Sequence, residues 1–165
     1  MEHAKAGFTY TIETVKNGQV IDKEVVHNLI PVEGINYLIS TGLKAGVAFP
    51  AFYVGLYEGA YTPLPADTMA TFPAAATELT AYAETTRRAL VLGAVSAGAV
   101  DNVASKAEFT GTTNGKLAHG GFICSAPAKG AATGVLISAV RFTSPKTLDA
   151  GTVLRVTGGF QITSA

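Results

Sequence analysis

The chain has 165 residues, the usual size of one domain, and its 12 basic and 12 acidic side chains give a formal net charge of zero. A balanced charge argues against nucleic acid as a partner, since phosphate binding needs surplus cations, and against electrostatic binding to a membrane. Only 15% of the residues are charged, yet no apolar run approaches the ~20 residues that span a bilayer. We therefore expect a weakly charged surface that partner subunits cover.

The N-terminal part of the chain is predicted to form a hairpin. Two runs rich in β-branched residues, 8–15 and 20–29, flank Asn17-Gly18, a pair that tolerates the positive φ angles of a tight turn. We expect residues 1–29 to form this hairpin or arm. Two placements are open, one inside the domain's own sheet and one against the sheet edge of a neighbouring subunit.

Charge indicates which register of this hairpin the sequence favours. A two-residue loop at Asn17-Gly18 sets Glu13 opposite Asp22, and facing like charges destabilise a strand pair. A three-residue loop that includes Gln19 sets Glu13 opposite Lys23 instead. The sequence therefore favours the longer loop.

A short helix is predicted to follow. Pro31 suits a first helical turn, Glu33 suits the positive end of the helix dipole, and Gly42 is a typical end. Three apolar residues at helical spacing predict the face that docks on the sheet: Ile35, Leu38 and Ile39.

One strand and a long irregular segment come next. Residues 52–57 have the composition of a strand, whereas residues 58–87 contain three prolines and many Ala and Thr residues. A helical turn is expected near 67–72, with Asp67 as its cap. Loops of this length usually serve a function or are ordered by a partner.

The rest of the chain alternates between strands and turns. Five more strands are predicted, at residues 88–94, 103–110, 120–126, 134–142 and 152–163. Eight strands in all predict a mainly β fold, a two-sheet β-sandwich or jelly roll with one short docked helix and one long irregular loop. Residues 1–165 are expected to form a single domain, because the composition shows no break.

The residue types that carry out chemistry are sparse and scattered. The three histidines (His3, His27 and His119) have no second ligand at metal-binding spacing, and Cys124 lies in an apolar strand without a local base. We therefore expect no catalytic residues, no cofactor, no metal and no enzymatic activity. The scattered carboxylates leave a glycosidase-like pair open, but the chain has no Trp for a carbohydrate platform.

Aromatic and arginine residues around the long loop form the main candidate for a binding surface. Tyr and Arg offer large contact areas and directed hydrogen bonds, and both are enriched at interface centres. The candidate interface consists of Phe49, Phe52, Tyr53, Tyr57, Tyr61, Phe72, Tyr82, Arg87 and Arg88. The alternative is that the Phe side chains belong to the core and only some Tyr and Arg side chains meet a partner.

Three stretches carry a resemblance to small structural proteins encoded in the virion-assembly regions of tailed bacteriophages. They are His27-Asn28 with Gly34-Ile35-Asn36, residues 52–82 (FYVGLYEGAYTPLPADTMATFPAAATELTAY), and residues 102–109 (NVASKAEF). The likeness extends over roughly residues 25–165. Proteins of this class are described as head decoration (cement) proteins or as tail-fibre-like proteins.

The resemblance implies a head decoration protein with a β-sandwich fold. It implies a homotrimer on the capsid exterior, where the protein bridges subunits of the major capsid protein, without a nucleic-acid or membrane partner. The alternatives are a tail- or fibre-associated protein, either a connector or a receptor-binding tip, and a glycan-degrading virion enzyme. The single cysteine and the lack of a signal-peptide pattern fit synthesis in the host bacterial cytoplasm.

Overall fold

The structure, a computed structural model, describes residues 5–163. In this range the chain forms ten strands, two α-helices and a 3₁₀ turn at Val103–Ser105. The strands are β1 (Lys5–Lys16), β2 (Gln19–His27), β3 (Tyr53–Tyr57), β4 (Glu78–Leu79), β5 (Arg88–Ala89), β6 (Ala99–Asp101), β7 (Ala107–Thr110), β8 (Leu117–Cys124), β9 (Leu136–Thr147) and β10 (Thr152–Thr163). The helices are α1 (Val32–Leu43) and α2 (Phe72–Ala75).

The strands form two antiparallel sheets that pack face to face. The first sheet has the order β2-β1-β10, and both β6 and β7 pair with the far side of β10. In the second sheet β4 and β5 pair with one side of β3, and β8 and β9 follow on the other. Fully buried side chains from both sheets fill the space between them, among them Tyr10, Ile12, Leu56, Phe109, Leu154 and Val156. The prediction of a mainly β, two-sheet sandwich is confirmed.

The N-terminal hairpin has the predicted register but not the predicted loop. Glu13 faces Lys23, as the charge argument requires. The turn nevertheless contains only two residues, Asn17 and Gly18, with φ angles of 50° and 76°. Ile21 is an extra residue in β2, and this bulge shifts the pairing by one position. The expectation of a three-residue loop was therefore wrong, because a bulge gives the same register.

The predicted arm lies largely inside the first sheet. Residues 5–27 form β1 and β2, and β1 is central because β10 pairs with its other edge. Residues 1–4 lie outside the described residues. A contact between this arm and a neighbouring subunit stays a prediction.

The edges of the two sheets are tied together by a buried lysine. The ammonium group of Lys146 on β9 lies 2.8 Å from the Asp22 carboxylate and 2.6 Å from the Glu24 carboxylate, both on β2. Burial raises the pKa of Glu24, but hydrogen bonds from Lys146 and from the Thr143 N–H lower it by more, so the net shift is downward. The ammonium group and the two carboxylates thus neutralise one another's charge and hold β2 against β9.

Helix α1 begins after Pro31 as predicted, but it continues through Gly42 to Leu43 and docks through a different face. Gly34 is buried, and a Cβ at this position would overlap the carbonyl oxygen of Ile137 on β9. Ile35 and Ile39 remain 42% and 47% exposed. The prediction that they dock on the sheet was wrong, because the missing side chain of Gly34 lets the helix backbone approach β9 on the other side.

The long segment 58–87 is largely irregular, as predicted, and packs on a core of its own. It covers the outer face of the second sheet, where Met69, Phe72 and Ala76 pack against Tyr57 and Phe122. The short helix lies at Phe72–Ala75 and not at 67–72. Asp67 does not cap it; its carboxylate accepts hydrogen bonds from the Tyr61 hydroxyl and the Leu64 N–H, both at 2.7 Å.

The predicted strand 152–163 is confirmed as β10, and the predicted strands 120–126 and 134–142 are present as β8 and β9 with shifted ends. The two strands predicted before them differ. Of residues 88–94 only Arg88 and Ala89 pair in a sheet, with β3. The predicted strand 103–110 begins late, because the buried side chain of Asn102 donates to the Ser105 and Val156 carbonyl oxygens and holds the chain in a 3₁₀ turn.

Candidate interaction surface

The structure divides the nine residues of the predicted interface into buried and accessible groups. Four side chains are buried, with residue exposures from 0% to 4%: Tyr57, Phe72, Tyr82 and Arg87. Side chains this deep do not touch a partner, so we leave them out of the interface. The other five are half-buried or exposed: Phe49, Phe52, Tyr53, Tyr61 and Arg88.

Tyr57 and Phe72 belong to the core beneath the long segment. Their rings pack edge to face at 5.6 Å, and the Tyr57 hydroxyl donates to the Val140 carbonyl oxygen at 3.0 Å. Burial raises the pKa of Tyr57. Tyr61 lies at the rim of this core, and its hydrogen bond to the Asp67 carboxylate raises its pKa to about 12. These aromatic residues therefore attach the segment to the sandwich.

Arg87 is a buried structural residue. Its guanidinium group donates to both carboxylate oxygens of Glu78, at 2.8 and 2.7 Å, and to the carbonyl oxygens of Ala126 and Ala131, each at 2.9 Å. The group also lies 5.3 Å from the centre of the Phe122 ring. Burial opposes the charged form, but the Glu78 carboxylate keeps the pKa of Arg87 raised. This network fastens the end of the long segment to the loop after β8.

Tyr82 and Arg88 lie near this network. The Lys129 ammonium group is 3.7 Å from the centre of the Tyr82 ring, and Phe109 packs edge to face with the same ring at 5.0 Å. The Tyr82 hydroxyl and the Arg88 Nε have no hydrogen-bond partner within residues 5–163. Neither group opens into a described cavity, and Tyr82 acts as a core residue.

Two accessible aromatic residues of the predicted set, Phe49 and Phe52, lie beside α1, whereas Tyr53 and Tyr61 pack against the core beneath the long segment. Phe49 stacks on Tyr37 of α1 at 5.5 Å, and Phe52 packs edge to face with the same ring at 5.7 Å. Phe49 is 39% exposed, and its backbone N–H donates a hydrogen bond to the Tyr37 hydroxyl at 2.8 Å. Part of the predicted interface therefore packs against α1 through Tyr37.

Large exposed apolar side chains gather around α1, a feature that our reading of the sequence missed. Four of them form a stripe along the outer side of the helix: Val32, Ile35, Ile39 and Leu43, exposed by 51%, 42%, 47% and 83%. We call the following eight residues the apolar end: Val32, Ile35, Ile39, Leu43, Val47, Phe49, Leu92 and Ile162. The helical spacing of the stripe was a signal in the sequence, but we assigned it to the docking face.

An open groove of about 660 Å³ runs between α1 and the adjoining ends of β1 and β10. Its walls include Ile35, Ile39 and Leu43 from the helix and Phe160 and Ile162 from β10. None of the described residues that line it is charged. A smaller apolar hollow of about 250 Å³ lies on the inner side of α1, next to Leu92. The apolar end therefore combines a protruding helix face with a concave surface.

About half of the charged side chains within residues 5–163 pair with one another. Within residues 5–163, seven ion pairs join six acidic to six basic side chains. Glu13 on β1, for example, is 7% exposed and contacts both Lys106 at 2.7 Å and Lys23 at 3.5 Å. The hydrogen bond from Lys106 lowers the pKa of Glu13, and Lys23 adds to the shift. Two lysines on different elements thus hold this carboxylate in place.

The residues considered for chemistry lie apart from one another. His3 lies outside the described residues, and exposed His27 has its Nδ1 3.1 Å from the Thr9 hydroxyl. Residues 5–163 contain no group of three or more His, Cys, Asp or Glu side chains that could hold a metal ion. Cys124 is buried, and burial raises the pKa of its thiol, which disfavours the reactive thiolate.

The described helices are all too short or too polar to cross a membrane.

Comparisons with protein-family models, with curated proteins and with solved structures returned no match to this chain. The apolar end is therefore the structural feature that best indicates a function.

Proposed function

We propose that this protein is a structural subunit that binds neighbouring subunits through its apolar end. On the resemblance to virion proteins, we propose further that it is a capsid decoration (cement) protein on the outside of a tailed-bacteriophage head. One observation carries the proposal. Eight large apolar side chains on or beside α1 are exposed, on a sandwich whose net charge is zero.

The size of this surface supports an interface. The exposed parts of the eight residues amount to on the order of 700 Å², close to the ~800 Å² that each partner contributes to an interface of standard size. Monomeric proteins rarely expose a contiguous apolar patch beyond a few hundred Å². Covering the apolar end would remove this surface from water, which is the main driving force of association.

A second exposed apolar surface supports a bridging role. Val20, Ile21 and Val25 on β2 are 49%, 61% and 55% exposed. Val20 and Ile21 lie by the hairpin turn, at the opposite end of β1 from the groove, and twelve extended residues span about 40 Å. A subunit with separate contact surfaces can join two neighbours. We propose β2 as the surface that meets the major capsid protein.

Bridging would stabilise a shell through many modest contacts. Each added copy contributes a second contact at high effective concentration, because the first contact already holds it in place. Binding to the assembled shell alone favours that state by mass action. A neutral protein also fits the exterior of the shell, away from DNA.

Imaging of particles with and without this chain tests the proposal. We expect regularly spaced knobs on the head of the complete particle and a bare, less heat-resistant head in its absence. A head that is identical in both preparations, with the difference confined to the tail, would contradict the proposal and support a tail- or fibre-associated protein.

A further inference from the structure

Helix α1 has two apolar faces, and only one of them is covered. The inner face, with Gly34, Tyr37, Leu38 and Thr41, lies toward the sandwich. The outer stripe contains four residues separated by three, four and four positions: Val32, Ile35, Ile39 and Leu43. Spacings of three and four are typical of the contact line between two packed helices. A stripe of this kind calls for a second helix.

We infer that the outer stripe of α1 binds a second copy of this chain, helix against helix. The shape of the surface fits such a contact, because the protruding stripe and the apolar groove lie side by side. The helix contains twelve residues and is about 18 Å long. When two copies face each other, the stripe of one is able to enter the groove of the other.

The chemistry of the surface also favours an identical partner. A symmetric contact brings like residues close together, so a charged patch repels its own copy. The described lining of the groove has no charged residue, and the four stripe residues are all aliphatic. The stripe and Ile162 expose on the order of 500 Å² on each copy, more than half of the share of one partner in a standard interface. This inference does not depend on the phage setting.

The molar mass of the purified chain tests the inference. We expect size-exclusion chromatography with light scattering to give two or three times the 16.9 kDa of one chain. Ile39→Lys places a charge in the stripe while keeping a good helix former, so it should give a single-chain mass. Val103→Lys is the matched control, because Val103 lies on neither proposed contact surface, is 60% exposed against 47% for Ile39, and should retain the wild-type mass.

Two results would overturn the inference. One is a wild-type chain that stays at the single-chain mass up to its solubility limit, and the other is an Ile39→Lys variant that is folded by circular dichroism and keeps the wild-type mass. A single-chain mass combined with binding to bare heads would assign the apolar end to the capsid, leaving the proposed function intact. An oligomer that does not bind heads would uphold the inference and count against the proposed function.

Cross-linking locates the contact. Cys124 is buried, so a cysteine placed on the surface is the accessible thiol. A disulfide forms only where two Cα atoms come within about 7 Å. We expect at least one single-cysteine variant at Val32, Ile35, Ile39 or Leu43 to give a covalent dimer under mild oxidation, and Val103→Cys, on neither proposed contact surface, to give none. Failure at all four stripe positions would contradict helix-to-helix contact.

Discussion

Gly34→Ala and Gly42→Ala are the same substitution in the same helix, and the structure predicts opposite effects on the free energy of unfolding. A methyl group at Gly34 would overlap the Ile137 carbonyl oxygen and lie 2.9 Å from the Leu136 carbonyl oxygen. Both neighbours are backbone atoms of β9, so the helix itself has to move away. At Gly42 no atom lies within 4 Å of the added methyl group.

The magnitude follows from the contacts that α1 would lose. One carboxylate oxygen of Glu33 accepts hydrogen bonds from the N–H groups of Met69, at 2.8 Å, and Leu136, at 2.6 Å. Overpacking costs about 1–3 kcal/mol, and a hydrogen bond to a charged group contributes about 1.5–3 kcal/mol. We expect Gly34→Ala to lower stability by about 2–5 kcal/mol. Gly42→Ala should raise it by about 0.5–1 kcal/mol, because alanine favours the helix.

Urea unfolding monitored by circular dichroism measures both changes. All samples need the same protein concentration, because self-association adds to apparent stability. In thermal unfolding, the Gly34→Ala loss should lower Tm by about 5–15 °C, at about 2–4 °C per kcal/mol for a domain of this size. A Gly34→Ala protein within about 0.5 kcal/mol of wild type would refute the close approach of α1 to β9.

Two further predictions concern buried charges. Arg87→Lys should cost about 2–4 kcal/mol of stability, because lysine cannot reproduce the forked contact with buried Glu78. Arg155→Lys, at a partly exposed pair, should change stability by less than about 1 kcal/mol. Equal effects of the two substitutions in urea unfolding would contradict this prediction. The pKa of Glu24 is lowered in the folded state. Its ionised form therefore contributes to the free energy of unfolding above the ordinary carboxyl pKa, and this contribution is lost as pH falls through the lowered value. The Glu24→Gln protein should therefore be less stable than wild type at pH 7, and the two free energies of unfolding should converge in acid. A stability difference that stays constant with pH would show that the contact with Lys146 has no electrostatic part.

Local patterns predicted the elements of the fold better than their contacts. The run from Thr152 to Thr163 is one strand, as its alternation indicated, and Glu13 faces Lys23 as charge required. The bulge at Ile21 was not predictable, because a two-residue turn with a bulge and a three-residue loop give the same pairing of Glu13 with Lys23. The docking face of α1 was also missed. Periodicity marks an apolar face, but α1 has two, and the buried one is centred on a glycine.

The candidate site shows a similar limit. Aromatic and arginine residues are enriched in interfaces and in cores alike, so composition alone could not separate Phe49, which is exposed, from Phe72, which is buried. Arg87 was misassigned because its partner, Glu78, lies nine residues away and only the folded loop brings them together. The exposed stripe of α1, in contrast, was readable from sequence once helix bounds were known.

Protection of the apolar end in the assembled state is the most direct measurement of the central claim. Leu43 and Val47 are 83% and 94% exposed in the isolated chain, and Val103, which lies on neither proposed contact surface, is 60% exposed. Hydroxyl-radical labelling followed by mass spectrometry should show Leu43 and Val47 labelled in dilute protein and strongly protected in intact particles, with Val103 labelled in both. Equal labelling of Leu43 and Val47 in the two states would contradict the account.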